Sequence, residues 1–193
     1  MDRVKQTLKK AKGFFDSGWW LEMEPIKDPH PPRYPSLVEQ TQIGLKLFNA
    51  TLDASCVEAY SKNDTWRCFL APYAMRYVDT PSLSQAFQYD RFQLEKDTYG
   101  RISSNESRAL SYAEKFRTTM RSTFENINGT GPGRGMYSPA CYDHCSVQKD
   151  GFFRTSVGEG GPSLAEALIR FWSNESAVWE IDECSGFSCG VGC

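Results

Sequence analysis

Seven cysteines in 193 residues, three of them within the last ten positions, constrain this chain more than any other feature. A reducing compartment would leave all seven as free thiols, whereas an oxidising one turns them into cross-links. Five Asn-x-Ser/Thr sequons, at Asn49, Asn63, Asn105, Asn128 and Asn174, point to the same oxidising lumen. Disulfides are therefore expected in preference to zinc. The cluster Cys141, His144, Cys145 and the tail Cys184, Cys189, Cys193 lack the paired C-x-x-C spacing that zinc sites use. An odd count leaves at least one cysteine without a partner in the chain. The first ten residues, Met1 to Lys10, contain no apolar run of the signal-peptide kind. A secreted composition without such a run leads us to expect that an N-terminal part lies upstream.

The rest of the composition is that of a globular protein, with 40% hydrophobic and 13% aromatic residues. A net charge of −2 with no basic run speaks against a nucleic-acid partner. No apolar stretch is long enough to span a membrane. One domain over residues 1–193, acting as a monomer, is expected.

Helical and extended signals alternate along the chain. Residues 2 to 12 carry Val4, Leu8 and Ala11 on one stripe and predict a helix. Lys12 to Leu21 reads as a short buried strand running into a turn. The stretch Pro25 to Pro35 is a loop, with four prolines from Pro29 onwards. Ser36 and Glu39 form a capping-box pair that opens a helix to about Phe48. Cys56 to Cys68 reads as a polar connection. Tyr77 to Gln88 predicts a strand ending at Tyr89-Asp90, and Asn105 to Phe124 predicts the longest helix. Gly129 to Gly135 predicts a loop, Phe152-Phe153 a strand-like stretch, and Ser163 with Glu166 a second capped helix. This alternation is the signature of an α/β fold.

Only two histidines are present. His30 lies in a proline-rich loop and reads as a solvated residue. His144 lies between Cys141 and Cys145, and backbone anchored on both sides would fix its ring. A histidine that moves protons needs a carboxylate to set its tautomer. Asp90, at the end of the best strand, stands where open α/β sheets collect their chemistry. Asp79 and Asp97 are the fallback acids. Acid before histidine matches the last two members of the α/β-hydrolase order. The one G-x-S-x-G match, Gly186 to Gly190 around Ser188, has neither a strand before it nor a helix after it, and we discount it.

Several ordered blocks resemble the pectin acetylesterase family, which also includes the Notum-type protein deacylases. They are Phe15-Asp-Ser-Gly-Trp-Trp-Leu, Trp66-Arg-Cys-Phe-Leu-Ala-Pro-Tyr, Thr80 to Leu94 around Tyr89-Asp90, and Ala140-Cys-Tyr-Asp-His-Cys. The tail from Asp182 to Cys193 is similar to the family's ending. The resemblance implies the C-terminal part of an α/β-hydrolase fold with a disulfide-rich tail, a Cys56–Cys68 pair, and Asp90 and His144 as catalytic acid and base. The family's serine elbow and glycine-rich oxyanion segment precede the first of these blocks. It implies a secreted carboxylic-ester hydrolase acting on acetylated pectin or a related cell-wall polysaccharide, without metal or organic cofactor. The alternatives are a Notum-like O-deacylase and a non-catalytic glycoprotein module that has lost its nucleophile. Phe92 stands where the family has Trp, which implies altered substrate contacts.

Overall fold

The computed structural model describes residues 11–27, 35–128, 133–173 and 177–193. The helix expected over residues 2 to 12 falls almost wholly outside them, as does His30. The described Ala11 and Lys12 are not helical.

Four short strands form one sheet in sequence order: β1 (Gly13–Asp16), β2 (Ser82–Gln85), β3 (Arg134–Ser138) and β4 (Trp179–Ile181). Every pairing is parallel. Parallel neighbours need a crossover, and each crossover here carries helices. Between β1 and β2 lie α1 (Leu37–Leu47), α2 (Ala54–Ala59) and α3 (Ala71–Ala74). Between β2 and β3 lie α4 (Arg91–Asp97) and the 19-residue α5 (Ser107–Glu125). Between β3 and β4 lie α6 (Gly151–Arg154) and α7 (Leu164–Ser173).

The sheet is covered on both faces, as a parallel sheet requires. On one face Ala113, Phe116, Met120 and Phe124 of α5 pack with Ala86, Tyr89, Leu94 and Met136. On the other, Leu164, Ala167 and Phe171 of α7 pack with Leu83, Tyr137 and Val178. The helix starts follow the capping logic of the sequence. Ser36 and Glu39 exchange the reciprocal bonds of a capping box, and Ser163 with Glu166 does the same.

Four sequence expectations change. The strand expected over Tyr77 to Gln88 is regular only from Ser82 to Gln85, because Met75–Tyr77 forms a turn of 3-10 helix and Pro81 precedes the ladder. Beyond Gln85 the chain still runs beside β3, with Ala86 and Gln88 donating their N–H groups to the Tyr137 and Pro139 carbonyls. The glycine-rich loop ends earlier than expected, and Gly135 belongs to β3. A Cβ there would stand 2.9 Å from the Leu83 side chain and 3.0 Å from the Val178 carbonyl oxygen. Phe152 and Phe153 lie in α6 and not in a strand. The polar connection expected over Cys56 to Cys68 contains α2 and runs into a 3-10 helix over Thr65–Phe69.

Six of the seven cysteines pair: Cys56 with Cys68, Cys141 with Cys193, and Cys184 with Cys189. The Cys56–Cys68 pair is the one that the resemblance implies. Those six sulfurs are unavailable as thiolate ligands, which removes the zinc alternative. Cys145 carries a free thiol. Arg117, buried inside α5, donates to Gln88 Oε1 and to the Cys184 carbonyl. Gln88 Nε2 in turn donates to the Ser138 and Asp182 carbonyls, so the tail is tied to the ends of β2 and β3.

Candidate active site

The site lies beyond the carboxyl ends of β1, β2 and β3. After Gln85 the chain reaches Asp90, which caps α4: its Oδ1 accepts the Gln93 N–H at 2.9 Å. The residue is 2% exposed. After Ser138 the chain passes through the disulfide-bonded Cys141 to His144. His144 Nδ1 lies 2.7 Å from Asp90 Oδ2. One carboxylate thus holds a helix start with one oxygen and an imidazole with the other. The two loops also meet through the backbone, where the Arg91 N–H donates to the Asp143 carbonyl.

The hydrogen bond to Asp90 raises the His144 pKa above its usual 6.5, against the opposing effect of burial. The negative charges of Asp90 and Asp16 add to the rise, and Lys149 opposes it. The ring stacks on Phe92, with centroids 5.2 Å apart and planes at 25°. Among the described residues, no side chain hydrogen-bonds the second ring nitrogen, Nε2. His144 borders an open cleft of about 410 Å³ together with Arg91, Phe92, Glu95, Lys96 and Lys149.

The fallback acids are elsewhere. Asp79 is exposed, near the opposite end of β2. Asp97 is buried at the far end of α4, where its Oδ2 accepts the Tyr112 hydroxyl at 2.9 Å. Burial pushes the Asp97 carboxyl up to about 7. Ser188 has a positive φ of 53°, but its hydroxyl accepts the Tyr142 N–H, and neither a strand nor a helix flanks it.

The support of the histidine loop differs from the expectation of two anchoring cysteines. Cys141 is disulfide-bonded to the tail, but Cys145 forms no disulfide. The second anchor is Asp16 at the end of β1, whose two carboxylate oxygens accept the N–H groups of Ser146 and Val147. Asp16 carries no local sequence signal of this role, since nothing in local periodicity links residues 130 positions apart.

An apolar groove adjoins the site. It measures about 270 Å³ and is bordered by Trp20, Leu45, Phe48, Phe69 and Phe92, with Gly44 in its wall. Phe92 belongs to both the groove and the His144 cleft, and stacks on Trp20 at 6.2 Å.

Comparisons with known proteins bear on the family and the fold. The chain is 25% identical over 175 residues to the palmitoleoyl-protein carboxylesterase notum2 of Xenopus laevis, covering 86% of this chain and 34% of that protein. It is 24% identical over 183 residues to the palmitoleoyl-protein carboxylesterase Notum of Drosophila melanogaster, covering 91% of this chain and 25% of that one. It therefore spans about a third or less of the curated relatives' length. A solved structure of the Wnt deacylase Notum from Drosophila superposes over 100% of this chain and 53% of its own, with a TM-score of 0.78 at 22% identity. That likeness establishes the α/β-hydrolase fold for the parallel sheet and its helices. A model of the pectinacetylesterase family matches residues 1–193. The chain belongs to the pectinacetylesterase family.

Proposed function

We propose that this chain supplies the acid and the base of a secreted carboxylic-ester hydrolase, whose nucleophilic serine is contributed from outside residues 1–193. The observation that carries the reading is the 2.7 Å contact between His144 Nδ1 and Asp90 Oδ2 at the carboxyl ends of the strands. With Nδ1–H held by Asp90, Nε2 is the basic nitrogen. It takes the proton as a serine oxygen attacks the ester carbonyl, and Asp90 stabilises the imidazolium that results. The protonated Nε2 then gives that proton to the departing alkoxide. Water enters by the same base and releases the acid. Secretion is supported by the three disulfides and by the exposure of all four described sequon asparagines, Asn49, Asn63, Asn105 and Asn128. We further propose a monomer without a nucleic-acid or membrane partner; the net charge of −2 with no basic run supports the absence of a nucleic-acid partner.

Membership of the family supports an acetylated cell-wall polysaccharide as substrate. A second reading, O-deacylation of a longer acyl chain, is favoured by the apolar groove that Phe92 joins to the His144 cleft. The complete protein, assayed with acetylated pectin and with aryl esters of increasing acyl length, tests both. Release of acetate from pectin supports the first reading, and preference for long acyl groups supports the second. No hydrolysis of any ester would leave the non-catalytic module.

A further inference from the structure

The loop that carries His144 is gripped at three successive peptide groups by Asp16, the last residue of β1, and by Ser17 directly after it. The Cys145 N–H donates to Ser17 Oγ at 2.9 Å, the Ser146 N–H to Asp16 Oδ1 at 3.1 Å, and the Val147 N–H to Asp16 Oδ2 at 3.0 Å. Cys145 has a positive φ of 59°, and Ser17 one of 54°. Both are non-glycine residues in the left-handed region, a conformation held only where the surroundings over-determine it. Ser17 is itself fixed from β2. Its N–H and its hydroxyl both donate to Gln85 Oε1, at 3.1 and 2.9 Å, and Gln85 is fully buried. The chain of support thus runs Gln85, Ser17 and Asp16, then the backbone directly after His144.

We propose that Asp16, seconded by Ser17, is the positioning residue of the catalytic histidine, setting the height and tilt of its ring through the clamp on residues 145 to 147. The clamp and Asp90 act on different parts. Asp90 holds one ring nitrogen, whereas Asp16 holds the backbone from which the ring projects. Neither alone fixes both ends of a side chain with two rotatable bonds. Asp16 makes no hydrogen bond to the ring, so its influence on the chemistry passes through the loop and through its charge. The other charged groups around His144 are Asp90, Asp143, Lys149, Arg91, Glu95 and Lys96. Lys149 Nζ donates to Asp143 Oδ1 and to the His144 carbonyl, which closes the loop on its outer side.

The role in turnover rests on the hydrolase reading above, but the clamp itself is testable without activity. Asp16→Asn keeps one acceptor oxygen and turns its other end into a donor facing an N–H. Asp16→Ala removes both acceptors. Ser17→Ala removes only the Cys145 bond and changes no charge. In the 193-residue chain, amide exchange at Ser146 and Val147 is expected to accelerate in both Asp16 variants while Met136 in β3 stays protected. The His144 proton titration, separated from that of His30 by a His30→Asn background, should move to lower pH in Asp16→Asn and stay in place in Ser17→Ala. In the complete protein, kcat is expected to fall about 10- to 100-fold in Asp16→Asn with KM little changed, the size of effect that misplacing a catalytic group by an ångström produces. Should Asp16→Ala fail to fold, Asp16→Asn decides. Unchanged exchange at residues 145 to 147 together with an unmoved His144 titration would overturn the proposal. Loosened amides with no hydrolysis even in the parent protein would instead sink the catalytic reading and leave the clamp standing.

Discussion

His144 Nδ1 and Asp90 Oδ2 are 2.7 Å apart although 54 residues separate them in the chain. Each sits just past a strand of the same sheet, and parallel pairing of β2 with β3 brings the two loops together. The second oxygen of Asp90 caps α4, so the carboxylate is held at both ends.

That double role makes Asp90→Asn and Asp90→Ala behave differently. Asparagine caps helices as well as aspartate does, so the Gln93 bond survives and the fold stays intact. It cannot stabilise the imidazolium, and kcat of the complete protein should fall about 10⁴-fold. Alanine loses the cap as well and should cost about 1 kcal/mol of stability, read by thermal unfolding. Full activity in Asp90→Asn would refute its assignment as the catalytic acid.

The raised pKa of His144 sets the pH response. Its folded value lies above the usual 6.5, chiefly through the Asp90 hydrogen bond. The stabilisation linked to it is therefore complete below 6.5 and is lost as pH rises through the folded value. Activity runs the other way, because only the neutral ring accepts the serine proton. The acid limb of kcat/KM should have its midpoint above 6.5 and move down in Asp90→Asn.

Asp97 gives a prediction with the opposite consequence for design. Its carboxyl titrates near 7 when folded and near 3.8 when unfolded, because burial disfavours the charge. The unfolded chain gives up this proton first, so stability falls between about pH 4 and pH 7. Asp97→Asn keeps an oxygen for the Tyr112 hydroxyl and has no proton to lose. It should be more stable than the parent at about pH 8 by a few kcal/mol, on the order of 1.4 per unit of pKa displacement, and no more stable at about pH 4. Equal melting curves at both pH values would contradict the assignment of the displacement to burial.

Much of the architecture was legible because it is written locally. The Ser36–Glu39 and Ser163–Glu166 boxes, the apolar stripe from Ala113 to Phe124 and the turn after Asp16 each depend on residues within a few positions of one another. What local pattern could not reveal was long-range. A two-residue aromatic run such as Phe152-Phe153 fits a helical turn as readily as a strand. Gly135 reads as a loop residue until Leu83 is seen lying against it. The histidine loop looked anchored by Cys145, yet its anchor is Asp16, 130 residues away in the case of Ser146. The Asp90–His144 pair itself came from the order of acid and histidine and from a family resemblance, since no spacing rule links two loops joined through a sheet.

The groove beside Phe92 allows the two substrate readings to be separated by filling it. Gly44 lies in α1 on the groove wall, and a Cβ added there would meet nothing within 4 Å. Gly44→Leu therefore places its Cβ in open space on the groove wall and adds an apolar side chain to the groove lining. Replacing glycine inside a helix should, if anything, stabilise the protein, by up to about 1 kcal/mol. Any loss of activity then reflects the filled groove and not a damaged fold. If the groove receives a long acyl chain, kcat/KM for an octanoyl ester should drop by about tenfold or more, since each methylene displaced from an apolar site forfeits about 0.8 kcal/mol. Acetyl ester hydrolysis should be unchanged, because an acetyl group has no chain to place in the groove. An equal fall for both esters would mean that the groove does not sort substrates by acyl length. An unchanged octanoyl rate would remove the observation that favours the long-chain reading and leave the acetylated polysaccharide as the substrate to pursue.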